Sequence, residues 1–177
     1  MRAELVLLLA VLATPAAAQG TSALKHHDTN APVDIDAGRA ELSNKANQVV
    51  FTGAVKIKQG DLNLNAERVK IFYQDKGDQQ VATRMDASGG VRLTSPSETA
   101  TGNMGVYDVE RRLVTVTGGV ILTQGQSVLR GERLAIDLDS GRSTIDGRGG
   151  AETPAQAGQP SGRVTGHFVV PERTPAR

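Results

Sequence analysis

Thr52-Gly53-Ala54-Val55 recurs as Thr117-Gly118-Gly119-Val120, and the match then runs on without a gap at the same spacing of 65 residues. Ile57 falls on Leu122, Gln59-Gly60 on Gln124-Gly125, Leu64 on Leu129, Glu67-Arg68 on Glu132-Arg133 and Ile71 on Ile136. A shift of 36 places Gly53, Val55 and Ile57 on Gly89, Val91 and Leu93, and Ala66 on Gly102. A shift of 29 places Asp36-Ala37 on Asn65-Ala66 and Arg39 on Arg68. Ile145-Asp146-Gly147-Arg148-Gly149-Gly150 starts one more copy, after the pattern of Met85-Asp86-Ala87-Ser88-Gly89-Gly90. A chain that repeats about every 30 residues folds as stacked copies of one unit, each burying an apolar face against its neighbours.

The unit is built from strands. Between Val33 and Thr153 the only proline is Pro96, apolar and polar residues alternate, and the breaks carry Gly, Asn and Asp. Val49, Phe51, Val55 and Ile57 share one parity, with Lys56 and Lys58 on the other; Val114, Val116, Val120 and Leu122 repeat this. The phase slips once per unit. Leu62, Leu64 and Ala66 are even, whereas Val69, Ile71 and Tyr73 are odd; Leu129 and Gly131 are followed by Leu134, Ile136 and Leu138. Such a slip turns every later side chain to the other face unless the strand bends. A bulge or corner at Glu67-Arg68 and Glu132-Arg133 resolves it, and the small Ala66, Gly102 and Gly131 suit a close backbone approach there.

The expected fold is all-β: antiparallel strand pairs, each with a corner, stacked into an elongated roll with one continuous apolar lining. The lining is assigned to Phe51, Val55, Ile57, Leu64, Val69, Ile71, Val91, Leu93, Met104, Val106, Val116, Val120, Leu122, Leu129, Leu134 and Ile136. On pattern alone this reads as a dry core, since alternation predicts burial and says nothing of a ligand. With aromatics at 3% the lining is small and flexible, and it could admit acyl chains. The ends of the stack stay open, because neither end shows a capping helix. The first strand, about Val33 to Ala37, and the last, about Ser143 to Gly147, place Val33, Ile35 and Ile145 on edges that invite another chain.

The roll occupies residues 32–150. Residues 1–18 read as an export signal: Arg2 near the start, an apolar run from Leu5 to Ala13, Pro15, and Ala16-Ala17-Ala18 as the cleavage site. The apolar run is too short to span a bilayer. Residues 19–31 read as a flexible leader and 151–177 as a tail rich in Pro, Gly and Gln, in which Val164 to Val170 could form one more short strand.

Composition removes most chemistry. The chain has no cysteine, which excludes disulfides, thiolate metal sites and a Cys nucleophile. Lys and Arg total 20 against 19 Asp and Glu, a balance that argues against nucleic acid. There are three histidines. His26 and His27 are adjacent in the leader and read as solvated rather than as metal ligands, so no metal site and no cofactor is assigned. Asp34 and Asp36 share a face as a paired carboxylate, a calcium contact or, more simply, a solvated edge. Glu67-Arg68 and Glu132-Arg133 read as exposed ion pairs, and Lys56, Lys58 and Arg92 as solubilising charges. An enzyme would need a convergent carboxylate, His or Tyr cluster across neighbouring units, and no catalytic residue is assigned.

Pro32-Val33-Asp34-Ile35-Asp36-Ala37, Phe51-Thr52-Gly53-Ala54-Val55-Lys56-Ile57-Lys58-Gln59-Gly60 and Leu64-Asn65-Ala66-Glu67 together resemble the OstA-like domain family. Ala100-Thr101-Gly102, Val106-Tyr107 and Thr117-Gly118-Gly119-Val120-Ile121-Leu122-Thr123-Gln124-Gly125 continue the resemblance, which runs from about Pro32 to Gly150. With an export signal and no added barrel, the chain is similar to the family's periplasmic lipopolysaccharide-transport member. The resemblance implies a β-jelly roll whose interior carries the acyl chains of lipid A. It also implies head-to-tail self-association into a bridge between an inner-membrane lipopolysaccharide export complex and an outer-membrane translocon. The alternative class is a repeat-built structural or adhesive module without lipid cargo.

Overall fold

The computed structural model describes residues 31–147 and 162–168. The signal segment, His26 and His27, and most of the tail lie outside the described residues. Among the described residues ten strands form one antiparallel sheet: β1 (Val33–Asp36), β2 (Arg39–Ser43), β3 (Gln48–Gln59), β4 (Leu62–Lys76), β5 (Gln79–Thr94), β6 (Glu98–Asp108), β7 (Leu113–Gln124), β8 (Ser127–Asp137), β9 (Arg142–Asp146) and β10 (Thr165–His167). From β3 to β8 each strand pairs with the next, the order expected of short turns between consecutive antiparallel strands. The only helical element among the described residues is a single 3₁₀ turn, Asn44–Ala46.

Every long strand crosses the same corner, and two residues on one strand oppose one on the next. Thr52 pairs with Arg68 and Val55 with Ala66, so Gly53 and Ala54 together face Glu67. Thr117 pairs with Arg133 and Val120 with Gly131, so Gly118 and Gly119 face Glu132. The pair on β5 is Gly89-Gly90, between Ser88 opposite Met104 and Val91 opposite Gly102. All six residues of these pairs have positive φ, from 47° at Ala54 to 87° at Gly53. This is bulge geometry with a left-handed backbone, which glycine adopts without strain. The two corner residues leave parity unchanged on β3, β5 and β7, while the single opposing residue reverses it on β4, β6 and β8. The phase slip in the sequence is this corner, at the Glu67 and Glu132 positions expected of it.

The corner divides the sheet into two arms that fold over each other. The first arm holds residues 55–59, 62–66, 91–94, 98–102, 120–124 and 127–131; the second holds the remainder of β3 to β8. Side chains from both arms meet inside: Leu93, Ala100 and Leu122 from the first pack with Val114, Leu134 and Ile136 from the second. A second cluster joins Val55, Ile57, Ala66 and Val91 to Val69 and Ala87. Val69 and Leu134 are fully buried, and each such aliphatic side chain contributes about 1.5–3 kcal/mol of burial.

Both ends of the roll are finished in the same manner. At one end β1 extends the first arm of β3 and β2 extends the second. At the other, β10 extends the first arm of β8 and β9 the second. Asp34 stands opposite Lys58 and Asp36 opposite Lys56, so the two carboxylates meet a matching pair of cations that favours this register. The ion-pair reading of Glu132-Arg133 is corrected: Arg133 Nη1 reaches Asp146 Oδ2 on β9 at 3.7 Å, because Glu132 sits at the corner. The strand taken as last is also not the final one, since β10 follows it and holds the edge of the other arm.

Candidate functional site

Between the arms the packing leaves a gap. A narrow apolar cleft of about 60 Å³ runs between the two layers. Val33, Ile57, Leu62, Leu64, Val91 and Leu93 of the first arm form one wall. Met85, Ala87, Gly105, Tyr107, Val114 and Val116 of the second form the other. Leu62 and Leu93 continue into a seam of about 10 Å³ with Ala100, Leu122 and Ile136. The arms approach closely where one wall is made of small residues: a Cβ on Gly105 would lie 3.2 Å from Val91 Cγ1, and Ala87 pairs beside it.

Polar groups touch this space only at its borders. Gln59 Nε2 donates to the Ala31 carbonyl at 3.0 Å. Glu98 is buried and accepts from Gln124 Nε2 at 3.0 Å, while its own N–H donates to Ser95 Oγ at 3.2 Å. The Tyr107 phenol has its pKa pushed up by burial, opposed in part by the nearby Arg112 guanidinium. Arg112 Nη1 itself pairs with Asp139 Oδ1 at 3.0 Å. Such walls can hold hydrocarbon without directional contacts.

Of the residues assigned to the lining from sequence, Ile57, Leu64, Val91, Leu93 and Val116 face the cleft, and Leu122 and Ile136 face its extension. Val55, Val69, Val120 and Leu134 are buried in closed core. Phe51, Ile71 and Leu129 pack half-buried against the two clusters. Val106 shares its cross-strand row with Asp86 and Thr115 and borders both the cleft and an outer groove holding Arg68 and Lys70. Met104 is corrected: it is 55% exposed, opposite Ser88 and Thr117. The corner lies between Gly102 and Met104, so the inward positions beyond it are Gly105 and Tyr107. The signal was present, because the shift of 36 that sets Gly102 on Ala66 also sets Gly105 on Val69 and Tyr107 on Ile71. Met85, Ala87, Leu62 and Val114 were likewise missed as lining. Of the edge residues, Val33 lies at the mouth, Ile35 packs on the second cluster, and Ile145 packs on the first, opposite Leu134.

The family model described as LptA/(LptD N-terminal domain) LPS transport protein matches residues 34–142. An uncharacterised protein of Rhizobium meliloti (strain 1021) is 28% identical over 149 residues, covering 79% of this chain and 80% of that protein. The lipopolysaccharide export system protein LptA of Escherichia coli (strain K12) is 26% identical over 113 residues, spanning 60% of each chain. The crystal structure of LptH, the LptA-homologous periplasmic component of the lipopolysaccharide transport device from Pseudomonas aeruginosa, superposes with a TM-score of 0.65 at 21% identity. That match covers 80% of this chain and 98% of LptH, and it shows that the two share a fold.

Proposed function

The chain belongs to the LptA/(LptD N-terminal domain) family of LPS transport proteins, and on that premise we propose that it is a periplasmic carrier of lipopolysaccharide. The acyl chains of lipid A enter the cleft between the two arms, while the sugar headgroup stays outside. Head-to-tail contacts between protomers extend the cleft, and the assembly links an inner-membrane export complex to an outer-membrane translocon.

One observation carries this reading: the apolar cleft between the arms reaches the edge strand β1, whose Val33 forms part of its wall. Burial of each methylene group is worth about 0.8 kcal/mol and has no preferred direction. A chain held in this way can slide along the walls without a bond being made or broken. Fold and family also argue against catalysis, since transport needs only differential burial. Localisation in the periplasm is supported by LptH, whose description is periplasmic, and by the export signal read in residues 1–18.

The test compares delipidated protein mixed with lipopolysaccharide and with the same lipopolysaccharide stripped of its acyl chains. Saturable binding to the acylated form alone is expected. Equal binding to both forms, or to neither, overturns the reading and favours a structural module without lipid cargo.

A further inference from the structure

Two turns at the free edge of the second arm, opposite the corner, are built alike. The β6–β7 turn is Val109-Glu110-Arg111-Arg112, and the β8–β9 turn is Leu138-Asp139-Ser140-Gly141. In each, the last strand residue accepts a backbone N–H from the turn: Asp108 Oδ1 from Arg111 at 3.0 Å, and Asp137 Oδ1 from Ser140 at 2.9 Å. In each, the final turn residue has a left-handed backbone. It is Gly141 in one, with φ of 66°, and Arg112 in the other, with φ of 51°. The turns between β3 and β4, β4 and β5, and β7 and β8 also use glycine for a left-handed residue, at Gly60, Gly77 and Gly125. Arginine lacks that freedom, because its Cβ crowds the backbone there. The backbone contact of this turn does not require it: the Arg112 carbonyl accepts from the Leu138 N–H at 2.9 Å, and a glycine carbonyl would do the same. The ion pair of Arg112 with Asp139 is exposed on both sides and contributes little. Strain kept where the fold has no use for it points to the side chain.

That side chain stands at the lip of the cleft. Tyr107 and Val114 are register partners in the cleft wall, and the turn carrying Arg112 continues from this pair to the edge of the arm. The guanidinium is close enough to act on the Tyr107 phenol. The neighbouring charges have partners of their own: Arg111 Nε lies 3.8 Å from Asp108 Oδ2, and Glu110 accepts from Gln74 Nε2 at 3.4 Å. Cations and carboxylates are mixed here, so no broad positive field draws an anion in. What Arg112 offers is a planar fork of N–H donors, which matches the oxygens of a phosphate two at a time.

We propose that Arg112 is a specificity-determining residue whose guanidinium binds a phosphate group of the lipid headgroup at the lip, while the acyl chains lie between the arms. This rests on the carrier reading above and deepens it. Asp139 holds the guanidinium until a phosphate replaces it, and an exposed pair is weak enough to exchange.

The test titrates wild type and Arg112→Gly with acylated lipopolysaccharide and with the same lipid stripped of its phosphates. Glycine suits the turn, so Arg112→Gly should be at least as stable as wild type in urea. It should bind the phosphorylated lipid about tenfold more weakly, the scale of one charge-assisted hydrogen bond. It should bind the dephosphorylated lipid as wild type does. Inorganic phosphate should bind wild type no better than Arg112→Gly. Unchanged binding of the phosphorylated lipid by Arg112→Gly overturns the role and leaves the carrier reading standing. Equal weakening with both lipids, or a less stable variant, also overturns it, because the arginine would then serve the packing of the cleft or the turn. Inorganic phosphate bound by wild type as tightly as the phosphorylated lipid overturns it in favour of a free-phosphate site. Failure of wild type to bind either lipid removes the carrier reading and this role together.

Discussion

The Cβ that Gly89 lacks would stand 2.6 Å from the Cβ of Glu67, nearer than two carbons can approach. Gly90, its neighbour in the corner, has open space at the same point. Both have positive φ, at 81° and 59°. Gly90→Ala should therefore cost only the left-handed backbone penalty, about 1–2 kcal/mol. That is the conformation Ala54 already adopts in the first copy. Gly89→Ala carries the steric overlap as well, and should cost about 1–3 kcal/mol more. Urea denaturation of the two variants checks the order, and equal costs would contradict this account of the corner.

Inward and outward faces beyond the corner are separated by truncation. Leu134 is fully buried between the arms, so Leu134→Ala should lose about 2–5 kcal/mol through lost burial and a residual cavity. Met104→Ala, at an exposed position, should change stability by less than about 0.5 kcal/mol. The comparison is read from denaturation midpoints at constant slope.

The corner was legible because two copies 65 residues apart both keep their apolar parity, so the slips at Glu67 and Glu132 stood out. It was not legible in β6. There the inward residue beyond the corner is Gly105, which carries no hydropathy signal, and the outward Met104 mimics the even parity of Ala100 and Gly102. The division between closed core and open cleft was also invisible. Val55 and Val91 have the same pattern, yet Val91 faces the cleft and Val55 is packed closed. Whether space remains depends on the summed sizes of side chains meeting from two arms, such as Ala87 and Gly105 against Val91, and alternation within one strand does not contain that sum. At the ends, edge strands were readable from composition. The three-residue β10 was only a possibility there, since so short a segment has almost no period to detect.

Tyr107 gives the fold an alkaline limb. Burial raises its phenol pKa above the ordinary value, which is about 10. A group whose folded pKa is raised contributes stability that is fully present below the unfolded pKa and lost as pH rises through the folded one. Stability should therefore fall above about pH 10, and Tyr107→Phe should flatten that part of the profile. Phenolate absorbance in a Tyr73→Phe background would follow Tyr107 alone. Acylated lipopolysaccharide in the cleft, by adding to the burial, should push the titration still higher. A titration at the ordinary phenol value would contradict the placement of this side chain against the cleft.

The most direct test of lipid carriage is photo-crosslinking from single positions to acylated lipopolysaccharide. A crosslinking side chain at Leu93 or Val114, on facing walls of the cleft, should capture lipid. The same group at Met104 or Lys56, both exposed, should capture little or none. Equal capture from the two sets, or capture only from the exposed positions, would contradict the claim that the interior between the arms is where the acyl chains travel.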